Sequence, residues 1–108
     1  MCDYEYKKYE VQKPRKRLVL TDGNTMSVQA NDFTYCSPRD NVGPYTEVEV
    51  GFPSFYSALL EPYKENFPGS SFQESVFPYV PVDVVLRLIE EHGGNTTPSH
   101  LPPFVEEK

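Results

Sequence analysis

Apolar and polar positions alternate on both sides of Asp22-Gly23-Asn24, with Leu18 and Leu20 before the turn and Met26, Val28 and Ala30 after it. Alternation of period two around a turn predicts a β-hairpin over residues 17–30. A two-residue turn at Asp22-Gly23 would set Leu18 opposite Ser27 and Leu20 opposite Thr25, mixing leucines with hydroxyls on one face. A three-residue loop, Asp22 to Asn24, sets Leu20 opposite Met26 and Leu18 opposite Val28, and that face becomes wholly apolar. Burial therefore selects the three-residue loop, with Asn24 in the left-handed position that Asn tolerates.

After Ala30 the apolar parity changes to Phe33 and Tyr35, which predicts a bulge or break near Asn31-Asp32. Residues 37–44, SPRDNVGP, read as a loop. Over Tyr45–Val50, Thr46, Val48 and Val50 face one way and Glu47 and Glu49 the other, a half-buried strand with an acidic outer face. Phe55, Tyr56, Leu59, Leu60 and Tyr63 fall at helical spacing and predict a helix over Pro53–Glu61, stopped by Pro62. Ser75–Val80 reads as a short strand that Pro78 confines to an edge or a bulge. Val82, Val85, Leu86 and Ile89 follow i, i+3, i+4, i+7 and predict a helix over Pro81–His92, stopped by Gly93.

The expected architecture is α+β: a small antiparallel sheet of three to five strands, including the 17–30 hairpin, with two helices packed on one face. Residues 17–94 form the domain. Residues 1–16 form a polar, basic arm or edge strand, and residues 95–108 a proline-rich tail whose Leu101-Pro102-Pro103-Phe104 docks on the core or on a partner.

Charge is unevenly placed. Residues 1–17 carry six basic against three acidic residues, a net +3, and residues 18–108 carry four basic against thirteen acidic, a net −9. A body of that sign repels phosphate backbones and attracts basic proteins. The run Lys13–Arg17, KPRKR, is the one feature pointing to nucleic acid, and its plainer reading is a solvated arm or a charged strand entry. The first ten residues, MCDYEYKKYE, hold no apolar stretch of the secretory kind, and no run of about 18 apolar residues predicts a membrane span.

Candidate chemistry is sparse. Cys2 and Cys36 form no framework of disulfides and are expected as free thiols in a reducing cytoplasm, with Cys36 packed as a small hydrophobe. His92 and His100 are eight apart, outside metal-ligand spacing, so no metal and no cofactor is expected. Glu47 and Glu49 share a strand face about 6–7 Å apart, as any solvated strand face does. Phosphate-binding and nucleophile-elbow motifs are absent from the sequence, and the expectation is a protein that is not an enzyme.

Eight tyrosines and seven phenylalanines with no tryptophan exceed what so small a core needs. Tyrosine combines rigid area with a hydroxyl and is favoured in interfaces. The loops and loop edges supply Tyr35, Arg39, Tyr45 and Tyr63 as candidate anchors, with Asp40, Glu47, Glu49, Glu90 and Glu91 as candidate charges.

The stretches VQANDFTYCSPRDNVGPYTEVEVGFPS (Val28–Ser54) and VFPYVPVDVVLRLIEEHGG (Val76–Gly94) resemble small accessory proteins of tailed bacteriophages. The resemblance implies a compact accessory protein made in the cytoplasm of the bacterial host. It carries over no functional residue. Together with the charge it leads to three expectations. The first is a protein that binds and blocks a basic surface of a host protein, as anti-defence and host-takeover inhibitors do. The second is a structural or assembly protein that self-associates through an unpaired edge at Ser75–Val80 and the tail. The third is a nucleic-acid-binding accessory protein using Lys13–Arg17.

Overall fold

Among the described residues four strands order as β1-β2-β3-β4 in one antiparallel meander: β1 is Leu18–Val19, β2 Thr25–Gln29, β3 Glu47–Gly51 and β4 Val76–Pro81. One α-helix among the described residues, α1, covers Val82–Glu91. The structure is a computed structural model and describes residues 15–65 and 71–105; most of the expected 1–16 arm lies outside the described residues.

The hairpin forms with the expected face buried but in a different register. Leu18 lies opposite Met26 and Val19 opposite Thr25, two residues from the expected pairing. Gly23, not Asn24, takes the left-handed position, with φ 90°. The Gly23 N–H donates to the Leu20 carbonyl at 2.9 Å, and the Leu20 N–H to the Asn24 carbonyl at 2.8 Å. A shift of two keeps every side chain on its own face, so Leu18, Leu20, Met26 and Val28 still enter the core.

The expected second helix does not form. Over residues 51–58 burial alternates strictly, with Gly51, Pro53, Phe55 and Ser57 in and Phe52, Ser54, Tyr56 and Ala58 out, which is the period of extended chain. The cause is a non-local clamp. The Ser54 N–H donates to the Thr25 carbonyl, and the Thr25 N–H donates to Ser54 Oγ, each at 2.8 Å. These bonds carry the chain onward beside β2. Pro62 leaves only a 3-10 turn at Glu61–Tyr63.

β4 carries both properties that Pro78 implies. It is the last strand of the sheet, and it bulges: Val80 pairs with Val48 and Phe77 with Val50, so Pro78 and Tyr79 together face Glu49. Tyr79 takes φ 54°, a left-handed value costly for a residue with a β-carbon.

In α1 the buried stripe is Val82, Val85 and Leu88. Leu86, expected in the stripe, is 44% exposed, because the core side of the helix runs through Val82, Val85 and Leu88, with Ile89 packed beside them. The helix ends as a Schellman turn. The Gly94 N–H donates to the Ile89 carbonyl and the Gly93 N–H to the Glu90 carbonyl, with Gly93 at φ 87°.

Beyond α1, residues 95–105 stay on the domain. Asn95 bridges Leu20 in antiparallel fashion. The Thr96 N–H donates to the Val19 carbonyl, and the Val19 N–H to Thr97 Oγ1. Further on, the Tyr45 N–H donates to the Pro103 carbonyl and the Val105 N–H to the Tyr45 carbonyl. Residues 95–105 are thus laid against β1 and the entry to β3. No helix among the described residues is long and apolar enough to cross a membrane.

Candidate interaction surface

The loop after β2 is organised by Asn31. Its side-chain oxygen accepts the Phe33 N–H, its carbonyl accepts the Thr34 N–H, and its own N–H donates to Thr34 Oγ1. Cys36 is buried and its thiol donates to the Asn31 carbonyl at 3.2 Å. This turn delivers Tyr35 to the outer side of the sheet beside the β4 bulge. The Tyr35 N–H donates to Glu49 Oε1 at 3.1 Å, and the Tyr35 carbonyl accepts the Tyr79 N–H at 3.1 Å.

The two tyrosine rings lie 5.8 Å apart between centroids at an interplanar angle of 45°. The Arg39 guanidinium stands 5.5 Å from the Tyr35 ring centroid, within cation–π range. Tyr35 is 43% and Tyr79 42% exposed. The cluster therefore presents two phenol rings to solvent from hydrogen-bonded backbone, with Glu49 at its base and Arg39 at its rim.

The other expected residues divide. Tyr45 is no surface anchor: it is 0% exposed, its hydroxyl donates to the Asp40 carbonyl at 2.8 Å, and burial raises its phenol above the ordinary value. The expected facing of Tyr45–Val50 fails at its start, because a bend at Thr46 sends Thr46 out and Tyr45 in. The Thr46 and Glu47 N–H groups both donate to the Ser37 carbonyl there, so regular pairing begins only at Glu47. Asp40 holds the loop, its Oδ1 accepting the Gly43 and Val42 N–H groups, which lower its carboxyl. Glu47 accepts from Ser37 Oγ at 3.1 Å. Tyr63 packs partly buried against the core. Glu90 and Glu91 are exposed on the last turn of α1, at the negative end of its dipole, and do not belong to the Tyr35 network.

Tyr79 is the residue that sequence reasoning omitted. The signal was Pro78, which forces the bulge and turns the next side chain out.

The basic run is tied to the fold where it is described. Arg15 donates to the Ala30 carbonyl, and Arg17 donates to Thr25 Oγ1 and to the Phe52 carbonyl. Lys16 is exposed, and Lys13 lies outside the described residues. The expected unpaired edge at Ser75–Val80 is also corrected. Tyr79 donates to Tyr35, the Val76 carbonyl accepts the Glu65 N–H, and Pro78 has no N–H to offer.

Among the described residues no group of three His, Cys, Asp or Glu side chains is placed to hold a metal ion. His92 has a structural role. Its Nδ1–H donates to Asp22 Oδ2 at 2.6 Å and its ring packs on Phe55 at 4.2 Å, locking the end of α1 to the hairpin turn. The His92 bond, helped by the N–H of Asn24, holds the Asp22 carboxyl below its ordinary value. A carboxyl depressed in the folded state stabilises fully above its unfolded value and loses that contribution as pH falls through the folded one. The melting temperature is therefore expected to fall on acidification below about pH 4, and Asp22→Asn is expected to flatten that fall; an unchanged acid profile would contradict it.

No family model, no curated protein and no solved structure matches this chain.

Proposed function

We propose that this protein is a non-enzymatic binding module that covers and blocks a positively charged surface of another protein. In the setting that the bacteriophage resemblance implies, the target is a host protein, and the mode is that of an anti-defence or takeover inhibitor. The observation that carries the reading is the Tyr35–Tyr79 pair: two rings exposed by 43% and 42% on a backbone fixed by hydrogen bonds. Tyr79 is held there at a left-handed φ of 54° by the β4 bulge, which turns its ring outward while Phe77 and Val80 on either side stay in the core. Rigid aromatic anchors lose little entropy on binding. The net −9 of residues 18–108 speeds encounter with a basic partner.

The test is capture from a bacterial lysate on immobilised protein. A partner is expected to be retained at low salt and released at high salt. The Tyr35→Ser/Tyr79→Ser double variant is expected to lose about 30-fold or more in affinity, as befits two hot-spot residues. No retained partner, or equal retention by the double variant, overturns the reading. Under this reading light scattering is expected to give a monomer across concentrations, and a closed dimer or ring would favour the assembly alternative instead.

A further inference from the structure

Arg39 offers the sharpest clue to what the tyrosines receive. We infer that the Tyr35–Tyr79 cluster is a receptor for an arginine guanidinium of the partner, and that Arg39 is its internal placeholder, displaced on binding. The inference rests on the binding reading above and names the chemistry of that same site.

Three observations carry it. A guanidinium already stands 5.5 Å from the Tyr35 ring centroid, so the ring accepts that cation in the free protein. The surroundings favour a positive visitor: Glu49 bonds the Tyr35 N–H through Oε1, and Glu47 lies on the same strand face, two residues away. The receptor is fixed while the occupant is not. Tyr35 is bonded through both its N–H and its carbonyl, whereas Arg39 is an exposed loop residue whose guanidinium is held by the ring contact alone among the described residues. A planar guanidinium stacks on a phenol ring better than an ammonium does, so the site distinguishes arginine from lysine. In this account Arg39 competes with the partner and is not itself an anchor, contrary to its expected role.

The experiment titrates two short neutral-backbone peptides, one carrying two arginines and one carrying two lysines, into the ¹⁵N-labelled full chain at low salt. The arginine peptide is expected to shift the amides of Tyr35, Glu49 and Tyr79, and to bind about twofold to fivefold more tightly than the lysine peptide. Arg39→Gln is expected to tighten arginine-peptide binding by a similar factor, while Tyr35→Leu abolishes the localised shifts and Glu49→Gln weakens them. The spectrum of each variant reports its own folding, and the Arg39→Gln arm does not depend on the tyrosine variants. Shifts centred on Glu90 and Glu91, equal binding of the two peptides, or weaker binding by Arg39→Gln overturn the inference. If these occur while the tyrosine double variant still loses the lysate partner, the binding reading survives without the arginine receptor. If that variant keeps the partner, the binding reading itself fails.

Discussion

Tyr45→Ala is expected to destabilise the fold by about 3–5 kcal/mol, the cost of deleting a fully buried aromatic ring. Tyr45 is 0% exposed and sits where three segments meet. Its N–H and carbonyl bond Pro103 and Val105 of the tail, its hydroxyl bonds the Asp40 carbonyl, and its backbone leads into β3. Removing the ring opens a cavity under the 37–44 loop and loosens the tail with it. Domain stabilities lie at about 5–15 kcal/mol, so this one change takes a large share of the total. Tyr45→Phe keeps the ring and loses one hydrogen bond, worth about 1 kcal/mol. Urea midpoints of the two variants measure the difference. Equal midpoints, or a Tyr45→Ala loss below about 1 kcal/mol, would show that the ring is not a core element.

Gly43→Ala attacks the same corner from the other side, with an expected cost of about 2–4 kcal/mol. Gly43 has φ 76°, and a β-carbon there would lie 2.8 Å from Tyr45 Cε2 and 3.0 Å from Pro103 Cγ. Neither neighbour gives way easily, since the ring is buried and Pro103 is bonded to Tyr45. Gly23→Ala is the control. Its φ of 90° carries the same backbone penalty, but nothing lies within 4 Å of the added carbon, so only about 1–2 kcal/mol is expected. The gap between the two midpoints isolates the steric part. No gap would mean that the 37–44 loop yields freely.

The sequence spoke clearly where one face of a regular element had to be buried. The even-numbered positions of the hairpin and the stretch before Gly93 were legible because alternation and helical spacing survive small changes of register. The register itself was not legible. Pairing Leu18 with Met26 or with Val28 buries the same side chains, and only the left-handed Gly23 decides between them. The absent helix at 53–61 shows another limit. Phe55 and Leu60 suit either an extended or a helical path, and the choice fell to the bonds between Ser54 and Thr25, which are remote in sequence.

Of the candidate surface, half is legible in the sequence. Tyr35, Arg39 and Glu49 were singled out by their loop and strand-face positions, and the structure brings them together. Tyr45 is not legible as a core residue because strand alternation stops at a bend that Ser37 imposes, one residue after it. Tyr79 is not legible because a strand pattern does not reveal on which side of a bulge the next ring emerges.

Amide hydrogen exchange of the captured complex against the free protein bears most directly on the claim that phenol rings beside the β4 bulge meet the partner. Slowed exchange is predicted at residues 33–39, with slowing at 47–51 and 76–81. Slowing confined to the end of α1 or to residues 95–105, with 33–39 unchanged, would contradict it.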